Sequence, residues 1–205
     1  AYDPATGYDP SDVGLDNDGA IEGFTFLDSL VKDGTLDPAV DYGTMTTLFH
    51  EGQAAFMWTG PWALPDVQAA GINYAVSPLP DINGQDATPF VGVQGFFVNA
   101  FSEQKALAQT FVLDFVATED VMVALYDVGL RAPAHIAAFD QVADDPDVQA
   151  FGESASAGNP MPNIPEMASV WDNLAGAVAA IYDQSADPAT ALGTAATAVR
   201  EAVAG

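Results

Sequence analysis

Cysteine is missing altogether from the 205 residues. Its absence excludes disulfides, thiol nucleophiles, CxxC redox chemistry and cysteine-bound zinc. Basic side chains are nearly as scarce. Lys32, Lys105, Arg131 and Arg200 stand against 29 acids, giving a formal net charge of −25. Nucleic acid is excluded as a partner, because neutralising phosphates requires clustered Lys and Arg. A polybasic contact with anionic lipid fails for the same reason. No apolar run reaches the roughly 18 residues that a membrane-spanning helix needs. The opening AYDPATGYDP has neither a basic n-region nor an apolar h-region, so no signal peptide is expected within it.

What is present can build a core. Hydrophobic residues make up 49% of the chain and charged residues only 16%, which argues against intrinsic disorder despite the net charge. The length allows one large or two small domains. So many like charges repel one another, and the chain is expected to lose stability at low salt.

Apolar residues at Ile21, Phe24, Leu27, Leu30 and Val31 predict a helix over about 18–32, closed by Gly34. A short helix is expected over 42–51. Strand-like stretches follow at 54–58, 73–77 and 90–99, the last interrupted by Gly92 and Gly95. Thr59-Gly60-Pro61-Trp62 breaks the first of these and starts a helix that ends near Gly71. Helices are expected over 103–117 and from Thr118, with Glu119 and Asp120 in the first turn of the second. A weak helix covers 147–154, and two Ala-rich helices cover 165–183 and 188–203. Residues 1–15, 79–89 and 158–165 read as loops. Strands alternating with helices indicate an α/β protein.

Several motifs invite chemistry and fail on spacing. With Gly19 as the sixth residue of a calcium loop, the first position is Gly14 and the twelfth is Thr25, neither of which is an acid. Asp16-Asn17-Asp18 reads instead as a helix start. His50-Glu51 begins an HExxH pattern, but Ala54 stands at its fifth place, so no metal is expected. Ser102-x-x-Lys105 lacks the companion motifs of SxxK acyl enzymes, and Ser102 reads as a helix N-cap. Neither a GxGxxG loop nor a Walker A loop occurs, and no cofactor is implied. Carboxylate pairs suited to glycoside hydrolysis arise by chance among 29 acids. A secreted carbohydrate-active enzyme using Asp/Glu pairs therefore stays as the alternative function.

The aromatics carry more. Trp62 follows Gly-Pro at a strand-to-helix break, Trp171 follows the loop GNPMPNIP, and Tyr42 opens a helix. Junctions of this kind are where a scaffold places binding side chains. A flat ring can stack on the apolar face of a sugar. The competing reading is that these rings are simply core.

Three stretches together resemble the extracellular solute-binding proteins of ABC sugar importers, most closely the maltose/maltodextrin-binding proteins. They are DYGTMTTLFHEGQAAFMWTGPWA at 41–63, INYAVSPLPDINGQDATPFVGVQGFFVNA at 72–100 and PMPNIPEMASVW at 160–171. The resemblance runs the length of the chain but covers only the second half of the family. It implies a periplasmic-binding-protein-like (type II) two-lobe α/β fold, represented here mainly by part of the C-terminal lobe. Residues 1–91 would form the first part of that lobe and 145–205 its helical end. Residues 92–144 would supply the hinge crossings and a segment of the N-terminal lobe.

By the same resemblance, Trp62 and Trp171 match stacking tryptophans, Tyr42 a site tyrosine and Met161 a methionine lining the pocket. Trp58 falls where the family has an aliphatic residue, and Ala175 where the maltose-binding pattern has an arginine. The implied function is non-catalytic capture of a malto-oligosaccharide or related sugar for an ABC permease. The implied partners are the sugar, the permease and a complementary N-terminal half of the same protein. The implied location is extracellular or periplasmic, free or lipid-anchored.

Overall fold

The computed structural model describes residues 2–205 except Pro4, Thr6 and Asn83, with Tyr2 and Asp3 described by their backbone alone. In chain order it contains β1 (Tyr2–Asp3), β2 (Gly7–Tyr8), α1 (Asp18–Lys32), α2 (Tyr42–His50), α3 (Leu64–Ala69), β3 (Phe90–Val91) and α4 (Lys105–Thr110). These are followed by α5 (Glu119–Gly129), α6 (Ile136–Val142), α7 (Pro146–Ala157), β4 (Asn159–Pro160), α8 (Ala168–Tyr182) and α9 (Pro188–Ala204). The described fold is mostly helical, with one antiparallel pair, β1–β2, and one parallel pair, β3–β4.

The chain gathers into two compact units, residues 1–43 with 162–205, and residues 44–161. In the first, α8 and α9 pack together and α1 lies against both. Ala177, Ile181, Ala191, Leu192 and Ala195 form the buried centre, flanked by Leu15, Ile21 and Phe24. The small residues on α8 and α9 let the two helices approach closely, while Ile181 and Leu192 fill the space between. Asn17 caps α1 by accepting from the Ala20 N–H at 2.8 Å, and Asp187 caps α9 by accepting from the Thr190 N–H at 3.0 Å.

The α8–α9 turn passes through Gln184, whose φ of 57° lies in the left-handed region. That backbone costs roughly 1–2 kcal/mol for a residue with a Cβ. Its side chain offsets part of the cost. Nε2 donates to buried Asp28 Oδ1 at 2.8 Å and to the Ile181 carbonyl at 2.7 Å. Lys32 Nζ reaches the other oxygen of Asp28 at 2.6 Å, so the buried carboxylate is paired as well as hydrogen-bonded.

In the second unit, Ala63, Leu64, Val67, Val116, Tyr126, Ala138 and Val148 are buried. α5 packs against α6 and α3. Tyr74 donates its hydroxyl proton to Asp147 Oδ2 at 2.5 Å, and Asp145 caps α7 by accepting from the Asp147 and Val148 N–H groups. The parallel pair is extended at its edges: the Asn159 N–H donates to the Pro89 carbonyl at 2.9 Å and the Met161 N–H to the Val91 carbonyl at 3.4 Å.

Several expectations change. Residues 54–58 and 73–77 do not form ladder-paired strands, and only Phe90–Val91 of 90–99 does. A strand exists through its neighbour, and among the described residues these stretches find none. The helix expected over 103–117 starts at Lys105 and turns into a π-helix over Phe111–Val116. Ser102 does not cap it: its hydroxyl accepts from the Gln104 N–H at 3.1 Å, and Gln104, two residues further on, holds the N-cap position. Thr118 holds the N-cap position of α5 without a side-chain bond to it. α6, capped by His135 Nδ1 accepting from the Ala138 N–H at 3.3 Å, was not expected. The loops read at 1–15 and 158–165 hold β1, β2 and β4, and the readings at Ala1, Pro4, Thr6 and Asn83 lie outside the described residues.

Candidate functional site

Trp62 sits in a single 3-10 turn, Pro61–Ala63, that runs directly into α3. Proline at the first position presets the helical φ and lacks only an N–H that would be unpaired there anyway. The turn is anchored from below. Ala63, Leu64 and Val67 are buried, and the Ala63 N–H donates to the Gly60 carbonyl at 3.0 Å. Trp62 itself is 55% exposed.

Met161 belongs to the same unit. It follows β4 directly, is tied through its N–H to Val91, and is 37% exposed. Tyr42 and Trp171 belong to the first unit. Tyr42 is the first residue of α2 and 52% exposed. Trp171 lies in the first turn of α8, after the turn Pro165–Met167, and is 47% exposed. The four expected contact residues thus fall two in each unit, each at or next to the end of an element, and none lies in a core. Ala175, one turn beyond Trp171, is exposed and offers only a methyl group there. Trp58 is exposed as well.

Five carboxylates, those of Asp9, Asp16, Asp28, Asp33 and Asp187, are held below the ordinary carboxylate range. The Arg200 guanidinium lowers Asp16, the Lys32 ammonium lowers Asp28, and the hydroxyls of Ser11, Thr35 and Thr190 lower the others. No three His or acidic side chains among the described residues converge to hold a metal ion. No helix among them is long and apolar enough to cross a membrane.

Comparison with known proteins supplies the deciding observation. The profile of the bacterial extracellular solute-binding protein family matches residues 2–155. The chain belongs to this family. Its members bind a solute without transforming it, which sets aside the carbohydrate-active enzyme.

Several relatives of this solute-binding chain are named for oligosaccharides, and others, 29% identical over 59% of this chain, for sn-glycerol-3-phosphate. A galactooligosaccharide-binding protein of Bacillus subtilis (strain 168) is 35% identical over 92% of this chain and 46% of its own length. The maltodextrin-binding protein MdxE of the same organism is 30% identical over 86% of this chain and 43% of its own length. A maltooligosaccharide ABC transporter solute-binding lipoprotein of Streptococcus pneumoniae (strain ATCC BAA-255 / R6) is 30% identical over 96% and 48%. The chain therefore spans about half the length of the curated relatives it matches.

One residue with a bearing on the site, Gly60, was not singled out from the sequence. The only signal was its place directly before Pro61-Trp62, and its role depends on a steric contact that needs coordinates.

Proposed function

We propose that this chain is part of a binding protein that captures a neutral oligosaccharide, of the malto- or galacto-oligosaccharide kind, for delivery to an ABC importer. The observation that carries this reading is that relatives named for oligosaccharides match nearly the whole chain. The half exposure of Trp62 and Trp171 agrees with it. Trp62 and Trp171 stack on pyranose rings, Tyr42 exchanges hydrogen bonds with hydroxyls, and Met161 adapts its thioether to the remaining apolar surface. A neutral sugar suits the charge distribution. Two of the chain's four cations, Lys32 and Arg200, are already held by Asp28 and Asp16.

In this reading the intact protein has the type II two-lobe fold. Residues 1–91 and 145–205 lie in the C-terminal lobe, and 92–144 carry the crossings and a piece of the N-terminal lobe. A ligand held by both lobes stabilises the closed form, which the permease receives. The complementary N-terminal half covers the side chains of Phe96, Phe97, Phe101, Leu107, Phe111 and Phe115, all of them exposed here. The protein works outside the cytoplasmic membrane, free or tethered by lipid.

The test is Trp62→Ala. Loss of a stacked anchor should weaken oligosaccharide binding by roughly 1–3 kcal/mol, measured by titration of the folded variant. Unchanged affinity would remove Trp62 from the site.

A further inference from the structure

A side chain at Gly60 would collide with Trp62. A Cβ built there stands 2.3 Å from Cζ3, 2.4 Å from Cη2 and 2.8 Å from Cε3 of the indole, closer than real Cβ atoms come to anything. The backbone does not demand glycine. Its φ of −128° and ψ of −177° are extended values open to any residue. Glycine is required here for space alone, because the six-membered ring of Trp62 lies against its Cα.

The collision has one soft partner. The turn below is fixed by the buried Ala63, Leu64 and Val67 and by the Ala63-to-Gly60 hydrogen bond. The atoms in the way belong to the far end of a side chain and not to the backbone, so the ring is the partner that gives. A methyl group at position 60 would therefore move the ring and leave the turn in place. Stacking depends on the face the ring presents, so such a rotation acts on binding directly.

We propose that Gly60 is a positioning residue: its missing side chain sets the pose in which Trp62 offers its ring face to the sugar. This rests on the reading of Trp62 as a stacking platform.

The experiment uses the full-length binding protein that contains this chain and follows the indole N–H signals of Trp58, Trp62 and Trp171 by NMR in the unaltered protein, Gly60→Ala, Trp62→Ala and the double variant, each titrated with maltotriose. Gly60→Ala should displace the Trp62 signal, leave that of Trp171 in place and weaken maltotriose on the order of tenfold. In the Trp62→Ala background the same change should cost nothing further, since the ring it displaces is gone. If Gly60→Ala alone fails to fold, removing the ring in the double variant should restore folding. An unmoved Trp62 signal in a folded variant, an equal loss with and without the ring, or a double variant that stays unfolded would overturn the proposal. A Trp62→Ala protein that binds maltotriose as the unaltered one does refutes the platform reading instead, and an unaltered protein that ignores maltotriose refutes the malto-oligosaccharide as the ligand. The displaced signal would still show what Gly60 does to the ring.

Discussion

Arg200, near the end of α9, holds Asp16 with both arms of its guanidinium. Nη1 donates to Oδ2 at 2.8 Å and Nη2 to Oδ1 at 2.7 Å, while Nη2 also reaches the Val13 carbonyl at 2.9 Å. Asp16 lies in the short turn that precedes α1, so one side chain ties the last helix to the start of the first. A planar fork suits this double contact as an ammonium cannot.

Arg200→Ala should lower the thermal midpoint, and Arg200→Lys should recover only part of the loss. The guanidinium holds Asp16 below its ordinary value of 3.8. The pair's contribution is therefore present above that value and is lost as the pH falls further, through the lowered folded-state value. Thermal unfolding from neutral to strongly acid pH should show the gap between the unaltered chain and Arg200→Ala closing at the acid end. A gap of constant size would mean that the ion pair is not its source.

Tyr126 supplies the opposite dependence. Burial, aided by its hydrogen bond to Asp145, raises its hydroxyl from about 10 to about 12. A neutral phenol is thus favoured in the folded state. The stabilisation is whole below pH 10 and is lost as the pH rises through about 12. Tyr126→Phe should weaken this alkaline loss of stability. The part that persists is expected from Tyr74, which burial and Asp147 also raise. Ultraviolet titration of the tyrosinates alongside unfolding checks both.

Gly158 is needed where β4 begins. A Cβ there would meet the Pro89 carbonyl oxygen at 2.6 Å and Val91 Cγ2 at 2.7 Å. The obstacle includes backbone, which cannot swing aside. Gly158→Ala should cost about 1–3 kcal/mol, as overpacking commonly does. It should also speed amide exchange at Asn159 and Met161, whose N–H groups bond to Pro89 and Val91. Unchanged exchange at those two amides would show that the pair tolerates the methyl group.

The helices were readable from residue spacing and end signals. Ile21, Phe24 and Leu27 mark the inward face of α1, and Asp187-Pro188 announces α9 through its cap and its first-turn proline. The extended stretches misled because a strand is a non-local object. The residues of 54–58 and 73–77 suit a strand, yet nothing within them says whether a partner lies alongside. α6 escaped notice because it is short and opens on a histidine, an uncommon cap. The π-helical Phe111–Val116 escaped because one widened turn leaves the apolar pattern almost unchanged. At the candidate site, the junction positions of Tyr42, Trp62 and Trp171 were visible in the chain. The dependence of Trp62 on Gly60 was not, because it is a contact between a ring and an empty volume.

The most direct measurement is tryptophan fluorescence of the full-length binding protein that contains this chain, titrated with maltose, maltotriose and a galactooligosaccharide, with each sugar recovered and analysed afterwards. The account predicts a saturable shift with at least one of these sugars and its recovery unaltered. No shift with any of them, from a protein whose near-ultraviolet circular dichroism shows packed aromatic side chains, or recovery of a cleaved sugar, would contradict it.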